Sequence, residues 1–167
     1  ANRNTPITLH DDVPICRHAV ERLRRLLARA LGCDLPPGHG EYGLAAERLG
    51  HGKSRVPYVV FLHGTTWDTK HWPEVYWREM AERLGHAGIQ VHLPWGNPAE
   101  HERAQRIAAG LKNAVVLPKL NLAGVAKVLV AARACVAVDT GLGHLAAALD
   151  VPTISLFGPT NPGLTGA

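Results

Sequence analysis

The chain has 167 residues, of which 46% are hydrophobic and 19% charged, and a formal net charge of +4. That length suits one domain with a core of its own, and the composition excludes a disordered or collagen-like chain. The basic excess is too small to argue for nucleic acid, no apolar run is long enough to span a bilayer, and no stretch has the layout of a secretory signal.

The chain begins at Ala1, not Met, and is expected to be a soluble piece of something longer. Cys16, Cys33 and Cys135 are odd in number and none is spaced C-x-x-C, so reduced thiols in a cytoplasmic protein are expected. Cys135 lies in an apolar run and reads as a small core residue.

Residues 12–31 are expected to be helical: Ile15, Ala19, Leu23, Leu26, Leu27 and Ala30 recur at three-to-four spacing, and Gly32 stops the run. Arg17, Arg22, Arg24, Arg25 and Arg29 crowd this segment. They read either as a solvated helix face or as attraction to an anionic membrane surface or acceptor. Residues 33–56 read as a connection, with a short strand near Tyr42.

An alternation then begins. Strands are expected at 58–63, 89–93, 114–117, 134–138 and 153–157. Helices are expected from Pro73 to about Gly88, over 98–111, over 121–133 and over 143–149. Strands alternating with helices mean βαβ units, and hence an α/β fold with a mostly parallel, Rossmann-like sheet covered by helices on both faces. The division expected is a helix and linker over 1–57 and a ligand-binding domain over 58–167.

Ligands of open α/β sheets bind beyond the carboxyl ends of the strands. Three loops fall there: 63–72, 94–100 and 139–144. In the third, Asp139 or Thr140 is expected to cap a helix, and Gly141 and Gly143 to let a ligand approach the backbone. The N–H groups of Thr140, Gly141 and Leu142, with the helix dipole behind them, suit a diphosphate. An ordinary capped turn explains this loop equally well.

In the first loop, Thr65 and Thr66 offer hydroxyls and Lys70 a compact positive charge, on a segment expected to be exposed. Taken alone, Lys70 reads as a solvated loop lysine and Trp67 and Trp72 as packing on the domain surface; facing the 139–144 turn, the set points to a diphosphate. In the second loop, Glu100 falls in a first helical turn, where the dipole favours a carboxylate, and it also suits ribose hydroxyls. Trp95 is a wall for a base or a core residue.

Three look-alikes are set aside. The YVVFLHG segment resembles part of an α/β-hydrolase, but no G-x-S-x-G elbow follows. Asp139-Thr140-Gly141 spells an aspartic protease triplet, but those enzymes pair two carboxylates in an all-β fold. The histidines, His63, His71 and His144 included, show no tight metal-ligand spacing.

FLHGTTWDTKHWP, LPWGNPAE, VLPKL and VDTGLGHLAAALDVPTISLFGPTNP together resemble the second domain of glycosyltransferase family 9, in order from about Tyr58 to Leu164. The T-T-x-x-x-K-H-W-P segment narrows the resemblance towards the heptosyltransferase I branch. The resemblance implies the carboxyl-terminal, donor-binding half of a two-domain GT-B enzyme. It implies ADP-heptose as donor, the Kdo-lipid A inner core of lipopolysaccharide as acceptor, inversion at the anomeric carbon and no required metal.

Carried over by motif, Thr65, Thr66 and Lys70 contact the diphosphate or sugar, and Lys70 stabilises the leaving group. Glu100 binds ribose, Leu120 lines the adenine pocket and Asp139 holds heptose hydroxyls. Thr140, Gly141, Leu142 and His144 cradle the phosphates. The family's general base belongs to the amino-terminal domain, so this chain is expected to bind donor without transferring sugar. The family also implies peripheral association with the cytoplasmic face of the inner membrane and no nucleic-acid partner. An α/β-hydrolase or a non-catalytic nucleotide-binding module are the alternatives.

Overall fold

A computed structural model describes residues 17–38, 42–44, 49 and 54–166. The chain forms two compact units: the described part of Ala1–Glu41 with Asn161–Gly166, and Tyr42–Thr160.

In the first unit, helix α1 (Ala19–Leu31) begins at His18, whose ring nitrogen accepts from the Val20 N–H at 3.3 Å. Residues 12–16 lie outside the described residues, and Arg17 and His18 precede the helix, so its described start is later than the periodicity predicts. Gly32, at φ 64°, closes α1 in the left-handed conformation that glycine adopts without strain, as expected.

Burial on α1 is slight. Ala28 is buried, but Val20, Leu23, Leu27 and Leu31 form an exposed apolar stripe, and Ala30 is exposed too. Among its described residues this small unit has a short second helix, α6 (Pro162–Thr165), to set against α1. Glu21 bridges Arg17 and Arg25 one turn away on either side. Arg24 donates to the carbonyls of Pro36 and Gly38, tying down the chain that follows the helix.

The second unit is built on strands β1 (Tyr58–Leu62), β2 (Gln90–Leu93), β3 (Ala114–Val116), β4 (Ala134–Val138) and β5 (Thr153–Leu156). They pair in the order β3-β2-β1-β4-β5, every neighbour parallel. Helices α2 (Glu74–His86), α3 (Pro98–Ala108), α4 (Leu122–Ala131) and α5 (Gly141–Ala148) connect them.

The unbroken apolar run of β1 is buried on both faces, as a central parallel strand must be. Tyr58, Val60 and Leu62 meet Val125, Leu129 and Ala146 of α4 and α5. Val59 and Phe61 meet Trp77 and Ala81 of α2 and Ala104 and Ile107 of α3. The period-2 alternation of the strand thus feeds two cores, one on each face of the sheet. Cys135 is fully buried in the first core, and burial pushes its thiol pKa up to about 12, which fits a packing role.

Most element ends fall within a residue or two of expectation. Pro73 is the residue before α2 rather than its first, and α3 stops at Ala108. Tyr42–Leu44 carries no strand. Helix α5 starts at Gly141, two residues early, so its first turn follows closely on the carboxyl end of β4. Cys16 lies outside the described residues.

Candidate functional site

Strand order reverses direction of growth at β1, with β2 on one side and β4 on the other. The loops after these strands diverge at such a point and leave a crevice. Here the crevice is a cavity of about 600 Å³, within the range that holds a nucleotide-sized ligand. Each expected loop contributes: Gly64, Thr65 and Thr66 after β1; Pro94, Trp95, Gly96 and Glu100 after β2; Thr140, Gly141 and Leu142 after β4. Leu62, Leu120, Leu122, Val125 and Leu145 complete the lining with an apolar wall.

The β2 side is rigidly built. Asn97 caps α3 by accepting from the Glu100 N–H at 2.9 Å, while Glu100 Oε2 accepts from the Gly96 N–H at 2.7 Å. This is close to a capping box, and it aims the Glu100 carboxylate at the cavity. Its carboxyl carbon would sit 2.7 Å from a Cβ on Gly64, so the glycine makes room for it. Trp95 is fixed by donating to the Leu117 carbonyl at 2.6 Å and by the His101 ring at 4.3 Å, with Lys119 Nζ 5.9 Å from its centroid. It is a cavity wall.

The β4 side corrects two expectations. Thr140 is the residue before α5, but its side chain makes no capping bond. Asp139 turns its carboxylate to Lys70 instead, with Nζ 2.6 Å from Oδ2. The first-turn amides of α5 therefore keep their orientation without a side-chain cap. Gly143, in turn, serves packing and not ligand approach: a Cβ there would lie 3.1 Å from that of Ala137, so the glycine lets α5 press onto β4. Gly141 has open space where its side chain would be, on the cavity lining.

Lys70 sits at the end of a short 3-10 helix, Asp68–Lys70, inside the first loop. Its side chain is 23% exposed and that of Asp139 8%, so the loop lysine is less exposed than expected. Burial raises the Asp139 pKa; hydrogen bonds from Lys70 and Thr160 and the Lys70 charge more than reverse this, and the net direction is down. Thr65 donates to the Asp139 carbonyl at 3.3 Å, so the β1 and β4 loops are tied twice.

The candidate residues therefore fall in two groups. Thr65, Thr66, Glu100, Leu120, Thr140, Gly141 and Leu142 line the cavity. Lys70 and Asp139 form the ion pair between its loops. His144 is exposed and faces a small recess of about 10 Å³ with Asp139, Thr140, Gly143, Ser155 and Phe157. Among the described residues no three His, Cys, Asp or Glu side chains cluster as metal ligands.

Sequence reasoning missed Thr160 as a partner of Asp139 and Leu122, Val125 and Leu145 as cavity wall. The spacing of Leu122 and Val125 on one face of α4 was the available signal.

The solved structure "E. coli heptosyltransferase WaaC with ADP" superimposes with a TM-score of 0.81 at 51% identity, over 90% of this chain and 48% of that one. Lipopolysaccharide heptosyltransferase 1 of Pseudomonas aeruginosa is 69% identical over 151 residues, 90% of this chain and 42% of that protein. The Escherichia coli K12 protein of the same name is 51% identical over 155 residues, 90% and 47% respectively. The chain thus spans under half the length of these relatives. The sequence profile of glycosyltransferase family 9 (heptosyltransferase) matches residues 8–167, and the chain belongs to that family.

Proposed function

We propose that this chain is the donor-binding part of an inverting glycosyltransferase that moves L-glycero-D-manno-heptose from ADP-heptose to the Kdo-lipid A inner core of lipopolysaccharide. The observation that carries the reading is the Lys70–Asp139 pair just before the amino terminus of α5, joining two of the loops that line a nucleotide-sized cavity. The relative with ADP supports the choice of nucleotide.

In this reading the adenine lies against Leu120 and the Trp95 wall, and Glu100 accepts from the ribose hydroxyls. The diphosphate meets Thr65, Thr66 and the Thr140, Gly141 and Leu142 amides, with His144 nearby. An ammonium has three donors; one engages Asp139, leaving Lys70 two for a phosphate oxygen. Asp139, acceptor-only when ionised, takes hydrogen bonds from heptose hydroxyls.

Transfer breaks the bond between the anomeric carbon and the diphosphate, and negative charge develops on the departing ADP. Lys70 and the α5 dipole stabilise that charge in place, so a divalent cation is not required. The base that deprotonates the acceptor hydroxyl lies outside this chain, in the other half of a GT-B enzyme. The enzyme works at the cytoplasmic face of the inner membrane. Among the described residues no helix is long and apolar enough to cross a membrane.

Calorimetric titration with ADP, GDP and UDP tests the reading. ADP should bind most tightly, without added metal. Equal affinity for the three removes the case for an adenine site, and an absolute need for a divalent cation removes the role given to Lys70.

A further inference from the structure

Two glycines flank the Glu100 carboxylate, and they serve it in different ways. Gly96 gives its N–H to Oε2 at 2.7 Å, and a Cβ on that glycine would stand 3.4 Å from the same oxygen, an ordinary contact. Gly64 gives only space. A Cβ there would lie 2.7 Å from the carboxyl carbon of Glu100, 2.8 Å from Oε1 and 3.0 Å from Cγ. Carbon atoms in contact stand about 3.5–4.0 Å apart, so a methyl and this carboxylate cannot both keep these places.

No backbone demand accounts for the glycine, because its φ lies outside the left-handed region. The three atoms nearest its missing Cβ all belong to Glu100. The two residues come from different loops: Gly64 lines the cavity from the end of β1, and Glu100 lines it from the first turn of α3, on the β2 side.

The carboxylate is therefore placed from three directions. Asn97 holds its root by accepting from the Glu100 N–H at 2.9 Å. Gly96 holds Oε2, and the bare Cα of Gly64 admits Oε1. With Oε2 committed to an amide, Oε1 is the oxygen left to accept from a ligand, and it is the one that a side chain on Gly64 would displace.

We propose that Gly64 is a positioning residue that gives the site its demand for ribose: the absent side chain lets the Glu100 carboxylate stand where Oε1 accepts from the sugar hydroxyls. This rests on the ribose reading of Glu100 given above. A methyl on Gly64 drives the carboxyl group back by about 1 Å, from 2.7 Å to ordinary contact. The Gly96 hydrogen bond is then stretched, and a charge-assisted hydrogen bond to the ribose is lost. Contacts to the base and the diphosphate are left in place.

The test titrates ADP and 2′,3′-dideoxy-ADP, which lacks both hydroxyls, into wild type, Gly64→Ala, Glu100→Ala and the double variant, with a thermal melt of each. Wild type should prefer ADP by about tenfold, the value of one hydrogen bond to a charged group. Gly64→Ala should melt close to wild type, because the displaced atoms are the end of a flexible side chain. It should lose most of the preference for ADP while its affinity for the dideoxy ligand changes little. In the Glu100→Ala background the methyl has no carboxylate to displace, so the double variant should match Glu100→Ala for both ligands. Should Gly64→Ala fail to fold, recovery of the fold in the double variant upholds the proposal, and no recovery overturns it.

A wild-type preference for ADP kept by Gly64→Ala, with Glu100→Ala losing it, overturns the role of Gly64 and leaves the ribose reading standing. So does an equal weakening of both ligands by Gly64→Ala. A preference kept by Glu100→Ala, or absent from wild type, sinks the ribose reading itself, and the role of Gly64 with it.

Discussion

Removing the Lys70 ammonium tests the site and the fold together. In Lys70→Ala the Asp139 carboxylate, 8% exposed, loses a partner at 2.6 Å and keeps the Thr160 hydroxyl. A hydrogen bond to a charged group contributes about 1.5–3 kcal/mol, and part of the loss is recovered because the carboxylate keeps some contact with solvent and its Thr160 partner. We therefore expect a stability loss of about 1–2 kcal/mol at pH 7, larger than for an exposed pair.

The pH dependence gives this a signature. The folded pKa of Asp139 lies below its ordinary 3.8. The pair's contribution is therefore complete above the unfolded pKa and is lost as pH falls through the folded one. Urea unfolding of both proteins at pH 7 and near pH 3 should reveal a gap that narrows in acid. The same variant should bind ADP about 10- to 150-fold more weakly at pH 7, the equivalent of 1.5–3 kcal/mol. Equal stability of the two proteins at pH 7, or a gap of the same size in acid, refutes the electrostatic argument.

Further outcomes are expected. Asp139→Asn should weaken ADP-heptose binding more than ADP binding in paired titrations. Its stability loss should not add to that of Lys70→Ala in a double-mutant cycle, because both remove one pair. Gly143→Ala pushes a methyl to 3.1 Å from Ala137 Cβ and should cost about 1–3 kcal/mol by denaturant unfolding. Gly141→Ala, with open space at that point, should fold like wild type and lose ADP affinity by calorimetry. His63, with its pKa near 4 against 6.5 unfolded, binds fewer protons folded than unfolded between those values. Stability should fall as pH drops from 6.5 towards 4, and His63→Leu should flatten that slope in melts.

The fold was legible because its signals are local. The YVVFL run, Pro73, Asn97 and Gly32 each announce a strand, a helix start or a stop within a few residues. The burial of α1 was not legible, because periodicity says which face is apolar and not what will cover it; Leu23 and Leu27 are on the stripe and exposed. The three loops that line the cavity followed from their place after the carboxyl ends of expected strands and from their composition. The Lys70–Asp139 pair did not: both residues were singled out, but their partnership spans 69 residues of sequence and depends on β1 lying beside β4. Gly143 reads like a ligand glycine until Ala137 is known to lie beneath it.

The seam between β1 and β4 has a consequence for how the molecule assembles. Val59 pairs with Ala134, so the strands at the centre of the sheet are far apart along the chain, while β1 and β2 are joined by a single helical crossover. The β1-β2-β3 half can gather early from nearby partners. The seam must wait for a long loop to close, which slows folding more than it weakens the product. Thr65 and Lys70 lie on one side of that seam and Asp139 on the other. On this reasoning the ion pair between the β1 and β4 loops should form late in folding, after the seam has closed.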